Sequence, residues 1–291
     1  MSLVVNTNVA SMNAQRSLMS SSRELQTAME RLSSGKKINS AADDAAGFAI
    51  AESMTAQIRG LSMAAKNAND GLSVLKVIEN ATNDVTDMLQ RIRELAVQAK
   101  SGTNSSTDVE NLQAEAEALM DEITRVARDT TYNGVAYLSD EISDTDRSLS
   151  IQVGYEDGDT IAVTSYAIDS ETLLLVDADA TGTTPYKDTA GGATGYLKID
   201  DATALTKISA AIDNIAGYKS EWGAGQNRLE YTVSNLMNVV EYTTAARSRI
   251  QDADFAVEAA RLAKAQVLQQ TGTAMLAQAN AAPQLAISLL S

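Results

Sequence analysis

The sequence predicts a mainly α protein: a long helical hairpin or coiled-coil core formed by both chain ends, with a small central region that contains a β-hairpin. Apolar residues recur in steps of three and four over 50–99 and over 205–250, which is the spacing of one helix face. Residues 139–201 lack this periodicity, and the chain of 291 residues has only two prolines. Both observations favour long helices at the two ends and a different structure between them.

The amino-acid composition excludes several kinds of catalytic and metal site, although an enzyme built from carboxylates, lysine, serine or tyrosine stays open. The chain contains no cysteine and no histidine, which excludes thiolate nucleophiles, disulfides, a catalytic imidazole and zinc sites built from these residues. Aromatic residues make up 4% of the chain, and ten methionines accompany abundant Ala, Leu, Val and Ile. We interpret the methionines as adaptable packing residues between closely spaced helices.

Charge and hydropathy predict no binding to nucleic acid and no insertion into a membrane. The formal net charge is −15, whereas binding a polyanion requires a basic surface. No apolar run approaches the roughly 18 residues of a membrane span. The first residues also lack the basic and apolar pattern of a cleavable signal peptide. We therefore expect a cytosolic protein, or one that leaves the cell by a route without such a signal.

The first helix, predicted over 3–34, carries a narrow apolar seam of the kind that pairs helices in a coiled coil. Three leucines repeat every seven residues, and a small side chain precedes each by four: Leu18, Leu25 and Leu32, with Ala14, Ser21 and Ala28. We predict that this seam takes part in assembly.

The end of the first helix and the start of the second are marked by local signals. Gly35 suits the left-handed position that follows a helix. Asn39 or Ser40 is the predicted cap of the next helix. Asp43 and Asp44 are interpreted as anions at a helix start, in preference to a catalytic carboxylate pair.

Two further helices are predicted to form an antiparallel hairpin. The second helix, over 50–99, would be on the order of 75 Å long if it is continuous, and Gly71 within it indicates close packing or a slight bend. A Gly- and Ser-rich loop follows, and Thr107 or Asp108 is the predicted cap of a third helix that ends near Asp129. A short loop between long helices makes the pair antiparallel.

The centre of the chain predicts β-structure and exposed acidic loops. Tyr132-Asn133-Gly134 is a turn signal, and apolar alternation over 149–163 around Asp157-Gly158 predicts a β-hairpin. Acidic residues dominate this centre, which we expect to face solvent. Its Ser and Thr residues are interpreted as an unmodified solvated loop, with O-glycosylation as the alternative.

The last part of the chain predicts two more helical segments. Gly223 and Gly225 mark a possible break in the first, and Pro283 is expected to end or bend the second. The second segment has a predicted assembly seam of small side chains: Ala260, Ala263, Val267, Ala274 and Ala277. Such a seam buries little area per residue. We therefore expect both chain ends to become ordered when many copies pack together.

Several long motifs in this order resemble bacterial flagellin. They are Glu30-Arg31-Leu32-Ser33-Ser34-Gly35, Ile38-Asn39-Ser40-Ala41-Ala42-Asp43-Asp44-Ala45-Ala46-Gly47, Asn67-Ala68-Asn69-Asp70-Gly71, Gln90-Arg91-Ile92-Arg93-Glu94-Leu95-Ala96-Val97-Gln98, Gly225-Gln226-Asn227-Arg228-Leu229 and Ala246-Arg247-Ser248-Arg249-Ile250-Gln251-Asp252-Ala253-Asp254. The resemblance covers about the first 160 and the last 90 residues.

The resemblance implies a structural protein that polymerises into the extracellular flagellar filament used for swimming. It implies three regions: an inner terminal coiled coil (1–44 and 251–291), an outer helical core with the β-hairpin (45–163 and 202–250) and a short surface-exposed variable region (164–201). It also implies export in unfolded form through the flagellar type III apparatus, which accounts for the absent signal peptide. The implied partners are further copies of the chain, an export chaperone, and the filament cap and hook-associated proteins.

The resemblance also implies a recognition surface. In flagellins of animal-associated bacteria, the segment equivalent to 90–98 is part of the surface recognised by Toll-like receptor 5, an innate immune receptor. Matching residues here are Gln90, Arg91, Glu94, Leu95 and Gln98, with Glu115 on the adjoining helix. Contacts between neighbouring subunits are the expected primary role of these residues, and receptor binding is a secondary one.

Three alternatives remain at this stage. A hook–filament junction protein shares the terminal coiled coil, although the motifs up to Gln98 fit flagellin better. A filament-displayed hydrolase would need an active site in the centre, which is short and has no metal motif. A secreted receptor-binding effector is compatible only as a secondary activity.

Overall fold

The computed structural model describes residues 7–139, 147–170, 173, 175 and 196–288. In chain order its elements are α1 (Val9–Ser34), α2 (Ala45–Ala99), α3 (Ser106–Asp129), β1 (Thr131–Tyr132), β2 (Val135–Ala136), β3 (Arg147–Gln152), β4 (Thr160–Ser165), α4 (Ala204–Gln251) and α5 (Phe255–Ser288). The chain forms two compact units: unit 1 comprises 1–59 and 240–291, and unit 2 comprises 60–239. The prediction of a mainly α protein with a small β-containing centre is confirmed.

Unit 1 pairs α1 with α5 in antiparallel orientation. Asn8 caps α1 by accepting the Ser11 N–H, and its side chain also donates to the Ala279 carbonyl near the end of α5 (2.7 Å). At the other end of α1, Gly35 adopts φ 70° and its N–H bonds back to Arg31. A positive φ is strained for any residue with a Cβ. The predicted helix stop at Gly35 is therefore confirmed.

The segments that follow α1 and precede α5 lie side by side. The Lys37 N–H donates to the Gln251 carbonyl (2.7 Å), and the Ala253 N–H donates to the Gly35 carbonyl (2.9 Å). Asp254 then accepts the N–H groups of Ala256 and Val257, so it caps α5. The two bonds that involve Lys37 and Ala253 join the backbone after α1 to the backbone before α5.

Unit 2 is built around antiparallel helices. On the α2–α3 side, Arg91 bonds to Glu115 (2.8 Å). On the α2–α4 side, Gln226 donates to Glu79 (2.9 Å). Between these elements lies a continuous apolar core whose most deeply buried members include Leu75, Leu89, Ile92, Met120, Ile123, Ile215 and Trp222. The predicted antiparallel pairing of the second and third helices is confirmed.

Two β-hairpins complete unit 2. β1 and β2 are joined by Asn133 and Gly134, both at positive φ (52° and 76°), which is the two-residue turn that Asn-Gly favours. β3 and β4 pair in antiparallel register from Arg147↔Ser165 to Gln152↔Thr160. Both predicted turns are confirmed.

The second hairpin lies against glycines of two helices. A Cβ on Gly60 of α2 would approach Tyr155 Cβ to 2.7 Å, and a Cβ on Gly71 would overlap Ile151 Cδ1. A Cβ on Gly225 of α4 would likewise lie 3.3 Å from a methyl carbon of Val163. The expected close packing at Gly71 is confirmed, and Gly225 packs against the hairpin without breaking α4.

Several local predictions are wrong. Ser105 caps α3 in a capping box with Asp108, in place of Thr107 or Asp108. Asp44 accepts the Gly47 N–H at the start of α2 (3.0 Å), a role predicted for Asn39 or Ser40. α4 continues across Gly223, so the predicted break is wrong. α5 continues past Pro283 to Ser288, so this proline does not end the helix. At both caps a neighbouring polar side chain takes the predicted role.

Part of the region predicted to be exposed belongs to the core of unit 2. Ile168, Leu173, Leu175, Leu197 and Ile199 are all buried, and the Leu197 N–H donates to the Leu175 carbonyl (2.8 Å). The prediction of a surface-exposed 164–201 is therefore wrong for these residues, because their apolar side chains complete the core beside α3. Residues 176–195, with most of the Gly- and Thr-rich segment, lie outside the described residues.

None of the helices, over the residues that the structure describes, is both long and apolar enough to cross a membrane.

Candidate functional site

The pairing of α1 with α5 follows a regular seam on both helices. On α1 the inward positions alternate in steps of three and four and include every predicted member: Ser11, Ala14, Leu18, Ser21, Leu25, Ala28 and Leu32 are half-buried or buried. Ser11, Ser21 and Ala28 are buried, and Ala14 and the leucines are half-buried. A Cβ on Gly272 would approach Leu18 Cδ1 to 3.2 Å. Small residues thus let the helices approach closely.

On α5 the inward register is not the predicted one. Its half-buried or buried positions are Glu258, Leu262, Ala265, Gln269, Gly272, Leu276, Ala279 and Ala281. The predicted set, Ala260, Ala263, Val267, Ala274 and Ala277, is exposed. These five residues take no part in the pairing of α1 with α5. Their role in assembly stays a prediction, and it must concern contacts with other copies of the chain.

An ionic cluster in unit 1 was not found from the sequence. Glu258 is 4% exposed. It accepts a hydrogen bond from Arg261 (2.8 Å) and forms an ion pair with Arg31 (3.5 Å). Arg31 also lies 3.9 Å from Asp43. Because a buried carboxylate is stable only when it is paired, this cluster joins α1, the segment before α2 and α5. The only sequence signal was an isolated acid in a run of alanines.

The hydrogen bonds around Asp43 also shape the turn before α2. Its Oδ2 accepts the N–H groups of Ser40 (3.0 Å) and Asn39 (3.1 Å). The backbone N–H groups of Ser40 and then Asn39 hold the pKa of Asp43 below its ordinary value, with a smaller contribution from Arg31. The aspartate is therefore ionised at neutral pH and fixes this turn, as expected for a helix-start carboxylate.

The predicted recognition residues lie on the adjoining surfaces of α2 and α3. The guanidinium of Arg91 bridges Glu115 (Nη2–Oε1, 2.8 Å) and Glu94 (Nη1–Oε2, 3.0 Å). These hydrogen bonds, that with Glu115 first, raise the pKa of Arg91. Gln90 and Gln98 are exposed beside them. The structure thus brings five of the six predicted residues together on one exposed surface, which we call the α2–α3 surface (Gln90, Arg91, Glu94, Gln98 and Glu115).

Leu95 is the exception among the six. It is 0% exposed and packs in the core of unit 2. The prediction that Leu95 belongs to an exposed surface is wrong, because this residue falls on the buried face of α2 together with Ile92 and Ala99. Its contribution to the α2–α3 surface can only be to hold α2 in position.

No group of three or more Asp or Glu residues able to hold a metal ion occurs in the described part of the chain.

Comparisons with known proteins identify the family. The family model described as the bacterial flagellin N-terminal helical region matches residues 5–143, and the model of the bacterial flagellin C-terminal helical region matches residues 205–290. Among similar curated proteins are flagellins of Xenorhabdus nematophila (41% identical) and Serratia marcescens (38% identical), in alignments that span all of both chains. A flagellin of Halalkalibacterium halodurans is 40% identical, over 99% of this chain and 100% of its own.

One solved structure supports the fold. A candidate flagellar hook-associated protein of Vibrio parahaemolyticus superposes on 72% of this chain and 100% of its own with a TM-score of 0.54, at 13% identity. That identity shows a shared fold and nothing about function. The family models and the full-length relatives carry more: this chain belongs to the bacterial flagellin family, whose members are structural subunits of the flagellar filament and not enzymes.

Proposed function

We propose that this protein is exported by the flagellar type III apparatus and polymerises into the filament that drives swimming, with its terminal helices as the assembly element. The observation that carries the proposal is which side chains unit 1 buries and which it leaves exposed. α1 and α5 bury mainly small side chains between them, while large apolar side chains remain exposed on both helices, such as Met19 (65% exposed) and Val267 (58%). Exposed apolar surface of this kind is characteristic of an interaction site.

The exposed seam of α5 fits contacts between copies of the chain. Ala260, Ala263, Val267, Ala274 and Ala277 leave room for another helix to approach closely. The partner surface must lie elsewhere on the molecule, because the opposite side of α5 is already occupied by α1. Contacts between two different surfaces are heterologous, and when they do not close into a ring they generate a helical polymer.

Family membership supports the remaining parts of this function. We infer that an export chaperone binds the monomer before secretion, and that the filament cap and hook-associated proteins are further partners. We place the assembled protein outside the cell in the flagellar filament. The hook–filament junction alternative gains no support from the comparisons.

Seeded polymerisation tests the assembly proposal. Purified monomer is mixed with short filament seeds and observed by electron microscopy, beside a chain that lacks 1–40 and 251–291. Filaments from the full chain and none from the shortened chain are expected. If the full chain remains monomeric under all seeding conditions, or if the shortened chain polymerises equally well, the proposal fails.

A point substitution tests the α5 seam. Ala263→Glu introduces a charge on the exposed face, which should leave the monomer folded because the side chain points away from α1. Polymerisation should be abolished, since the charge would be buried against a neighbouring copy. Normal filament growth by this variant would exclude the predicted seam from the assembly contacts.

A second function, recognition by Toll-like receptor 5, is favoured by the α2–α3 surface. Arg91, Glu94 and Glu115 form a linked, exposed set of charges. The matched control is Arg125, an exposed arginine of α3 that pairs with two carboxylates of its own helix, Glu122 and Asp129. Arg91→Ala should abolish receptor signalling by purified monomer, whereas Arg125→Ala should retain it. An inert wild-type monomer, or equal loss in both variants, would refute this role.

A further inference from the structure

Four methionines of unit 1, those of α1 and α5, are unusually exposed for apolar side chains. Met12, Met19 and Met29 on α1 are 55%, 65% and 49% exposed, and Met275 on α5 is 65% exposed. By contrast, Met120 in the core of unit 2 is 0% exposed. Since the chain contains no cysteine, thioether sulfur is the only sulfur that an oxidant can reach.

Three of these methionines flank the seam between α1 and α5. Met12 and Met19 directly follow the inward-facing Ser11 and Leu18 and are seven residues apart, so they lie on one face of α1. Met275 directly precedes Leu276, which faces α1. Together with Met29 they lie on the faces of α1 and α5 that the partner helix leaves open.

We propose that Met12, Met19, Met29 and Met275 form an oxidation site through which peroxides control assembly. In the reaction, the thioether sulfur attacks one oxygen of hydrogen peroxide. An S–O bond forms, the O–O bond breaks and the other oxygen leaves as water after proton transfer. Methionine is oxidised by two electrons to the sulfoxide, and the peroxide is reduced by two electrons. The inference rests on the proposed polymerisation, because it assumes that neighbouring copies cover these faces.

Oxidation should act on the polymer and not on the folded monomer. In the monomer the exposed sulfoxide oxygen is hydrated, so oxidation does not disturb the side chains that α1 and α5 bury between them. In a filament the same oxygen would be covered by a neighbouring apolar surface and would lose its hydrogen bonds to water. The equilibrium therefore shifts towards monomer. A subunit oxidised at all four positions should raise the critical concentration for polymerisation by about tenfold or more, because a loss of about 1.4 kcal/mol per subunit already gives that factor.

The experiment treats monomer and preformed filaments with hydrogen peroxide, maps the oxidised methionines by peptide mass, and measures seeded polymerisation. Two exposed methionines of unit 2 provide the control, Met63 (57% exposed) and Met237 (63% exposed). One variant replaces the four unit 1 methionines by Leu, and a second carries Met63→Leu and Met237→Leu. Each variant is compared with its own untreated sample, so that the effect of Leu itself cancels.

The expected pattern has three parts. Oxidised wild-type monomer keeps its helix content but polymerises poorly, and methionine sulfoxide reductase restores growth. The variant without the four unit 1 methionines loses this sensitivity, whereas the Met63→Leu, Met237→Leu variant keeps it. In filaments, the four unit 1 methionines are oxidised more slowly than in monomer.

Other results overturn the inference. If fully oxidised monomer polymerises as well as untreated monomer, or if the unit 2 variant is the protected one, these methionines do not control assembly. Equal oxidation rates in monomer and filament would show that the faces remain uncovered. Failure of untreated wild-type protein to polymerise would refute the proposed function itself. If the variant with all four methionines replaced does not polymerise, the reductase experiment on the wild-type chain tests the inference. Failure of the reductase to restore growth would then overturn it.

Discussion

The two units of this chain use helices of similar length but bury very different side chains. Unit 2 encloses Trp222, Leu89, Ile92, Met120 and Ile123, each at most 1% exposed. Among the described residues of unit 1, Ile38 is the one large apolar side chain that is buried. The remainder of its buried set is small or polar: Ser11, Ser21, Ala28, Gly47, Ala51, Glu258 and Ala265.

This difference separates a folding unit from an assembly unit. Burial of apolar area contributes about 25 cal/mol per Å², so the large side chains of unit 2 can offset the entropy lost on folding. The Ala- and Ser-based seam of unit 1 gains much less from the pairing of two helices. We infer that unit 2 is stable in the monomer, and that the terminal helices of unit 1 gain their stability from further copies.

The largest effect is expected from truncating the same residue type in each unit. Leu89→Ala in unit 2 should lower the free energy of unfolding by about 2–5 kcal/mol, through lost burial and a cavity. Leu268 on α5 is 40% exposed, and Leu268→Ala should change monomer stability by only about 0.5 kcal/mol. Urea unfolding of both variants measures the difference. Equal losses would contradict the distinction between the units.

A smaller effect is expected where the hairpin packs on α2. A Cβ at Gly60 would lie 2.7 Å from Tyr155 Cβ, so Gly60→Ala should displace the hairpin and destabilise unit 2 by about 1–3 kcal/mol. At Gly217 of α4 nothing lies within 4 Å of the added carbon. Gly217→Ala should therefore stabilise the protein by about 0.5–1 kcal/mol, through a better helix propensity.

Thermal unfolding compares these two glycine variants, and Trp222 reports on the hairpin because its indole N–H bonds to the Thr164 carbonyl (2.9 Å). Changed Trp222 fluorescence in Gly60→Ala, and not in Gly217→Ala, would locate the damage at the hairpin. If both substitutions stabilise the chain, the hairpin does not depend on the glycine contact.

Acid should loosen the two units through different carboxylates. The pKa of Asp43 in unit 1 is lowered by the backbone N–H groups of Ser40 and Asn39, and that of Asp108 in unit 2 by the side chain and then the backbone of Ser105. A lowered pKa in the folded state stabilises that state at pH values above the unfolded-state pKa of about 3.9. This stabilisation is lost as the pH falls through the folded-state pKa.

Hydrogen exchange between about pH 5 and pH 2 tests this assignment. Asp43→Asn should reduce the acid dependence of amide exchange in 35–44, and Asp108→Asn should do so only at the start of α3. A uniform response of the whole chain to either variant would argue against local control by these two groups.

The smallest effect is expected on the α2–α3 surface. The side chain of Arg91 is 50% exposed, and ion pairs in contact with water contribute little to stability. Arg91→Ala should therefore leave the thermal midpoint of unit 2 unchanged within error, while any receptor signalling is lost. A clear drop in the midpoint would indicate that the cluster holds α2 and α3 together.

Local signals in the sequence predicted much of the fold. The repeat of Leu18, Leu25 and Leu32 located the inward face of α1, because large apolar side chains there contrast with polar neighbours. Gly35 and Asn133-Gly134 located a helix end and a turn, since positive φ is acceptable at few residue types. The order of the motifs also indicated the family, which the comparisons confirm.

Other features were decided only by tertiary structure. α5 is rich in alanine around its whole circumference, so periodicity could not show which face meets α1. The face of α5 that packs on α1 is the one where Gly272 leaves room for Leu18 and where Glu258 pairs with Arg31. Leu95 and the apolar residues near 168–175 and 197–199 are buried because partner elements distant in sequence cover them.

What the sequence by itself determined was therefore the set of helices, the principal turns and the membership of the flagellin family. What only the tertiary structure decided was which surface of each helix is used inside the subunit and which is left for other copies. The physical reason is that helix propensity and turn geometry are local properties of a few residues. The choice of a buried face depends instead on the shape and charge of a partner surface that is far away in the chain.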